Sequence, residues 1–322
     1  MPLRSAGRGR QRDHLQGVSR VRTVARIVVV LVTIGWLVGG WALPAASPPR
    51  PAAKPTVDWT GLKVTFLAIG QGEATLLQWS SGETALVDTG AAEARARLFA
   101  LLEEAGVRRL DWLILSSDMP EAAGNAQAVL DAYPVEALVF PALTRQVVLP
   151  PRIPEGIRLV ALTAGQRLHL NRGTILTALH PRPPLSLSPQ NNALVFRLAY
   201  GDVRFLFTGS INAEAEAAIL AANPDLRSAV LKVSDCGSAQ GSHPDFLAAV
   251  DPEVAIVFSR GEEGDFGREE VLERLSDSWA DIYQPSRHGS VAVITDGLQY
   301  QVVLDGLRAG QQELSLEKEK TR

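Results

Sequence analysis

The sequence predicts an α/β protein of two mixed sheets sandwiched between helices, preceded by one transmembrane helix. Three observations carry this. From Leu62 onward, short apolar runs bounded by turn residues alternate with amphipathic stretches. An uncharged run from Ile27 to Leu43 follows a basic stretch, in which residues 1–26 hold seven arginines and one aspartate. Prolines at 44, 48, 49, 51 and 55 separate that run from the alternating part.

The elements follow in order. Residues 1–26 form a basic cytoplasmic tail of net charge +6. Residues 27–46 form the anchor: the apolar run meets the lower end of the about 17–25 residues a spanning helix needs, with Trp36 and Trp41 approaching the far interface. Arginines on the N-terminal side leave the tail inside and the folded part outside, a single-pass cell-membrane protein. The rival is a cleaved signal peptide, but the run exceeds an h-region of about 7–15 residues and prolines crowd the cleavage positions. Residues 47–60 make a semi-stiff proline-rich linker, 61–305 the folded domain, and 306–322 a solvated tail.

Within the domain, Leu62 to Ile69, Ala74 to Trp79 and Thr84 to Asp88 are expected strands, joined by Gly70-Gln71-Gly72 and by Ser80-Ser81-Gly82-Glu83. Ala91 to Gly106 is an amphipathic helix that buries Leu98, Leu101 and Leu102 and stops at glycine. Trp112 to Leu115 and Ala137 to Phe140 are strands around a helix at Asn125 to Ala132. Leu194 to Tyr200 and Val203 to Phe207 pair across Gly201-Asp202, followed by a helix at Ala213 to Ala222 and a strand at Ala229 to Val233. Pro244 to Val250, Ala255 to Phe258 and Glu269 to Leu275 continue the alternation, and Val291 to Thr295 with Tyr300 to Leu304 close the chain as a hairpin.

Composition suits one globular domain, with 46% hydrophobic and 21% charged residues. The lone Cys236 excludes an intrachain disulfide. The whole chain carries −3, so the part after residue 26 carries −9. An acidic domain lacks the global drive that lysine and arginine give to phosphate binding, which leaves only a local positive rim from Arg260, Arg268 and Arg287.

The ordered motifs are Ala68-Ile69-Gly70-Gln71-Gly72-Glu73, Leu86-Val87-Asp88-Thr89-Gly90, Leu113 to Asn125, Phe207-Thr208-Gly209-Ser210 and Lys232-Val233-Ser234-Asp235-Cys236-Gly237-Ser238. In order and spacing they resemble the metallo-β-lactamase-like domain of ComEC-type competence proteins. That family carries D-V-G-Q-G-D, L-I-D-T-G, T-H-x-H-x-D-H-x-G-G, F-T-G-D and K-V-P-H-H-G-S. The resemblance covers residues 62 to 305 and implies the αβ/βα arrangement and a cleft that holds two zinc ions in the family.

Every ligand position of the pattern is changed here. The histidines of the third motif fall on Ser117, Met119 and Ala122, and its aspartate on Glu121. The bridging aspartate falls on Ser210, and the paired histidines on Asp235 and Cys236. A later motif, G-H-P-H-P-E-V-L, is met by residues 265 to 272 with Arg268 at a histidine position. Among the polar site residues of the core motifs only Asp88 is unchanged, and the family uses it to organise the site.

Zinc needs three or four converging imidazole, thiolate or carboxylate ligands. Of the five histidines only His288 and His243 lie in loops near the old site. Asp88, Asp118, Glu121, Asp235 and Cys236 offer an oxygen-rich alternative better suited to magnesium, manganese or calcium, although loop carboxylates are more often solvated. Ser117, Ser210 and Cys236 are nucleophile types, but each needs a base within hydrogen-bond reach, and His288 is the one to test. Asp88 is expected to accept from the Thr89-Gly90 backbone. Gly70 and Gly72 are expected to serve backbone geometry. Arg268 is expected to turn into the cleft and bridge Asp88, Glu121 or Asp235.

The expected function is a membrane-anchored pseudoenzyme: a binding or scaffold module outside the membrane, with no cofactor, whose partner is a protein or DNA. No small-molecule partner is identifiable. The rival is a metal-dependent phosphodiesterase with a site rebuilt from Asp88, Asp118, Glu121 and Asp235.

Overall fold

Strands with apolar side chains on both faces need cover on both sides, and this chain supplies it by stacking two sheets and coating each outer face with helices. The computed structural model describes residues 59–143, 149–223, 225–261 and 268–304. The expected tail, anchor and most of the linker lie outside these residues, as does the C-terminal tail. Among the described residues no helix is long and apolar enough to cross a membrane.

The strands are β1 (Leu62–Phe66), β2 (Thr75–Trp79), β3 (Thr84–Val87), β4 (Leu110–Ile114), β5 (Val135–Pro141), β6 (Arg158–Leu162), β7 (Arg167–His169) and β8 (Thr174–His180). They continue as β9 (Val195–Tyr200), β10 (Val203–Phe207), β11 (Val230–Lys232), β12 (Val254–Ile256), β13 (Asp281–Tyr283), β14 (Val291–Thr295) and β15 (Tyr300–Leu304). The helices are α1 (Arg95–Glu104), α2 (Pro120–Ala123), α3 (Ala126–Ala132), α4 (Ala213–Ala222), α5 (Pro244–Val250), α6 (Arg268–Asp277) and α7 (Pro285–His288). One sheet runs β15-β14-β1-β2-β3-β4-β5-β6 and the other β13-β12-β11-β10-β9-β8-β7. Each mixes the two senses: β3 to β6 are parallel while β1 is antiparallel to β2 and β14, and β10 to β13 are parallel while β7 to β10 are antiparallel.

Between the sheets, Phe66 stacks on Phe207 at 6.2 Å and Phe207 on Phe196 at 4.7 Å. Two buried indoles tie the layers together by placing their one donor: Trp79 Nε1 donates to Thr174 Oγ1 and Trp112 Nε1 to the Leu170 carbonyl. On the outer face of the first sheet, α1 and α3 bury Leu98, Leu102, Val129 and Leu130. On the second, α4, α5 and α6 bury Ile219, Phe246, Leu247, Val271 and Leu275.

Two strand expectations need correction. The first strand ends at Phe66, because Leu67 N–H already bonds the Ala74 carbonyl and the chain turns away from its neighbours. Residues 158–180 contain three strands, β6 to β8, for which the sequence pattern gives no bounds. Gly72 takes φ +82 inside the turn, and its N–H donates to the Ser259 carbonyl at 2.7 Å. A Cβ there would lie 2.3 Å from the Glu121 carbonyl oxygen and 2.6 Å from Ala91 N, whereas at Gly70 (φ +93) nothing lies within 4 Å.

Gly72→Ala should therefore lower stability by more than the about 1–3 kcal/mol that a left-handed residue alone costs. Gly70→Ala should cost no more than that strain. Denaturant melts of the two variants would refute this close-approach argument if they gave equal midpoints.

Candidate functional site

The strands deliver their C-terminal ends to one rim, where the loops after β1, β3, β4, β10, β11 and β12 meet. At its centre lies an ion pair: Lys232, the last residue of β11, meets Glu73 from the Gly72 turn, and both side chains are buried. Lys232 Nζ also donates to the Gly209 carbonyl at 2.9 Å. Thr208 Oγ1 donates to the Lys232 carbonyl at 2.6 Å, fixing the strand end. Burial pushes the Glu73 carboxyl upward, and the Lys232 ammonium opposes that.

Asp88 lies just beyond β3 with φ 58. Its carboxylate accepts from Ser116 N at 2.7 Å and from Ser116 Oγ at 2.8 Å. This corrects the expected bond from the Thr89-Gly90 turn: Thr89 N–H goes to the Ala122 carbonyl and Gly90 N–H to the Glu73 carbonyl. Burial, and then the charge of Glu73, raise the Asp88 pKa to about 7.

After β11 the chain makes a tight turn, Ser234–Gly237, with Asp235 and Cys236 both left-handed at φ 51 and 52. Asp235 N–H donates to the Gly209 carbonyl at 3.0 Å. Its carboxylate pairs with Arg260 Nη2, while Arg260 Nε lies 3.6 Å from Glu121 Oε1. Arg260 is thus the guanidinium that joins two carboxylates in the cleft. Burial raises the Asp235 pKa against Arg260 and Lys232. The Cys236 thiol is pushed well above its ordinary value by burial and by Glu73, and it donates to Glu73 Oε1 at 3.6 Å.

Arg268 does something else. Its side chain is buried, and Nη2 donates to the Phe258 carbonyl at 3.0 Å and to the Cys236 carbonyl at 3.4 Å. The expected bridge from Arg268 to Asp88, Glu121 or Asp235 is replaced by these backbone contacts, because the cation position is taken by Arg260. Ser117 Oγ accepts from Met119 N at 3.3 Å, and Ser210 Oγ faces the Gln190 carbonyl at 3.5 Å. Asp118 is partly exposed on the loop before α2. His288 Nδ1 accepts from Gln284 N, and His243 Nδ1 accepts from Asp245 N as the N-cap of α5. Among the described residues no histidine bonds Ser117, Ser210 or Cys236, and the side-chain acceptor of the Cys236 thiol is the Glu73 carboxylate already paired with Lys232.

A metal centre of the kind the fold implies does not fit these residues. Neutral Ser117, Ala122 and Ser210 occupy three of the ligand positions, and Glu73, Glu121 and Asp235 are committed to an ammonium or a guanidinium. Among the described residues no three His, Cys, Asp or Glu side chains are grouped to hold an ion. The sequence pattern does not single out Glu73 or Lys232. The available signal was a lysine inside the apolar run Ala229 to Val233, which demands a buried partner.

Two mixed sheets face to face, helices on both outer faces and a loop cleft at the strand ends define a metallo-β-lactamase fold. The chain is a distant homologue of the ComEC, Rec2 and ComA competence proteins. Recombination protein 2 of Haemophilus influenzae is 31% identical over 229 residues, 69% of this chain and 27% of that protein. ComE operon protein 3 of Bacillus subtilis is 25% identical over 201 residues, 60% of this chain and 26% of that protein. The chain therefore spans little more than a quarter of the length of the curated relatives it matches. Among solved structures, CmlA, a diiron β-hydroxylase from Streptomyces venezuelae, is similar in fold with TM-score 0.50 and 12% identity, over 74% of this chain and 55% of that one. No family model matches the chain.

Two outcomes follow from the cleft. Removing one partner of a buried pair strands the other's charge, so Lys232→Met or Glu73→Leu alone should cost about 3–5 kcal/mol, while the two together should cost less than the Lys232→Met change alone. Additive costs in a denaturant cycle would contradict this.

The second concerns pH. Asp88 has a folded pKa of about 7 against 3.8 for the free side chain, so the folded state holds its proton more tightly. Its contribution is fully present below the free value and is lost as pH rises through about 7. Stability of the wild type should therefore fall relative to Asp88→Asn across that window, by at most about 1.4 kcal/mol per pH unit. Parallel stability curves for the two proteins would exclude it.

Proposed function

We propose that this chain is a non-catalytic metallo-β-lactamase-fold protein that works as a binding or scaffold module in DNA uptake. In this reading residues 27–46 hold it at the cell membrane, with the tail of residues 1–26 inside and the folded domain outside. The seven arginines ahead of an uncharged run support that orientation. Relatives that include a protein named competence protein ComA support the biological setting.

The observation that carries the reading is the cation content of the cleft. In a zinc hydrolase, carboxylates and imidazoles converge on metal, which polarises the substrate and activates water. Here Lys232 and Arg260 supply the positive charge, and their carboxylate partners are spent on them. An ammonium or a guanidinium neutralises buried carboxylates, but it holds no water with a lowered pKa. The cleft keeps the family's shape as a structural centre.

The full-length chain, purified in detergent and incubated with zinc or manganese before desalting, should retain clearly substoichiometric metal. It should also show no turnover of an activated phosphodiester or of DNA. Near-stoichiometric metal, with turnover abolished by a chelator, would overturn the reading in favour of a hydrolase rebuilt around Asp88, Asp118, Glu121 and Asp235.

A further inference from the structure

The rim expected to attract phosphate is spent: Arg260 is committed to Asp235 and Glu121, and Arg268 is buried against carbonyls. Positive charge gathers elsewhere, on the outer face of the second sheet between β7 and β10. Side chains alternate across a strand, and Leu176, Ala178, Phe196, Leu198 and Phe205 point into the core between the sheets. Arg167, Thr177, Arg197 and Arg204 therefore point outward.

The register puts them side by side. Arg167 pairs with Thr177, and Thr177 with Arg197, so the two arginines share one row across β7, β8 and β9. The next outward row holds His169, Ile175, Ala199 and Arg204. With strands about 4.8 Å apart, Arg167 and Arg197 stand about 10 Å from each other. Arg204 Nη1 bonds Asp225 Oδ2 at 2.9 Å, and Arg197 Nη1 lies 3.6 Å from the same oxygen. Arg227, exposed, gives its backbone N–H to Asp225 Oδ1 at 3.2 Å. Arg204 and Arg197 thus share one exposed carboxylate, and Arg167 adds positive charge beside Arg197. Burial, then the charge of Arg204, hold the Arg197 pKa below its ordinary value; Asp225 opposes them and Arg167 adds to them. Asp202 lies at the exposed turn between β9 and β10.

We propose that this face, Arg167, Arg197, Arg204 and Arg227, binds the phosphate backbone of a nucleic acid. Guanidinium forks match phosphate oxygens, and charge neutralisation with counterion release supplies sequence-independent affinity. The outward residues between the arginines are threonine, isoleucine and alanine, and the one ring in these two rows is the imidazole of His169 at the edge strand, too little for a stacking platform. The contact is therefore to backbone rather than to bases. This goes beyond the reading of the cleft and is independent of it, because Arg167, Arg197, Arg204 and Arg227 take no part in the ion pairs of Lys232 and Arg260.

The test uses the full-length chain in detergent and a fluorescent duplex, with Kd measured across a salt series. Arg167→Gln/Arg204→Gln removes two phosphate contacts and keeps the seven N-terminal arginines, so any change reads the face. The slope of log affinity against log salt should shrink by about 1.8, at about 0.9 per contact, with weaker binding at every salt concentration. Arg167→Gln alone, at an exposed edge-strand position, should give half that change and guards against loss of folding. A wild-type slope and affinity in folded variants would overturn the proposal. So would tighter binding to anionic vesicles than to duplex, lost in the same variants, which would assign the face to a lipid surface. Metal content measured on the same preparations reports on the cleft separately.

Discussion

The ion pair of Lys232 and Glu73 is the constraint on which the cleft depends. A buried charge without a partner is costly, so each of these residues dictates the other's position. Glu73 arrives on a turn of the first sheet and Lys232 at the end of a strand of the second. Their contact therefore adds a charged tie to two layers otherwise joined by apolar packing and by the hydrogen bonds of Trp79 and Trp112. Apolar packing sets how closely the sheets approach, but it is tolerant of small slides. A charge pair with fixed hydrogen-bond partners is not. Such a pair is weak evidence for stability as such, and its value here lies in register: Gly209, Thr208 and Cys236 all take their places from it.

Around this centre the carboxylates are sorted by their neutralising partner. Glu73 has an ammonium, while Asp235 and Glu121 share a guanidinium. Asp88 has no cation of its own, accepts two hydrogen bonds from Ser116, and sits where burial favours its proton. A cleft arranged in this way gives three of its four carboxylates a resident cation, and the fourth, Asp88, favours its proton. The acidic groups that a metal would need are the ones its own basic side chains already use.

The sequence disclosed the parts of the fold that are local. Ala213–Ala222, Pro244–Val250 and the hairpin Val291–Thr295 with Tyr300–Leu304 follow from periodicity and turn residues within one segment. β6 and β7 were not legible because they are an edge strand with exposed Arg158 and Leu159 and a strand of three residues, so no apolar alternation marks them. In the cleft, the replacement of ligands could be read position by position, since it is a matter of residue type. Which basic side chain would fill the space could not. Arg260 and Arg268 are eight positions apart on connected segments, and only the direction in which each leaves the backbone decides between Asp235 and the Phe258 carbonyl.

The Ser234–Gly237 turn has a consequence for how this molecule can change. Two consecutive non-glycine residues held left-handed are uncommon, and they persist only where the surroundings over-determine them. Here the turn is held by Asp235 N–H on Gly209 and by the side chains of Asp235 and Cys236 on Arg260 and Glu73. The backbone that would carry a pair of ligands is therefore maintained by interactions that involve no ligand. Any path toward metal binding in this lineage would consist of side-chain replacements alone, the first being the removal of a resident cation, with no loop to rebuild.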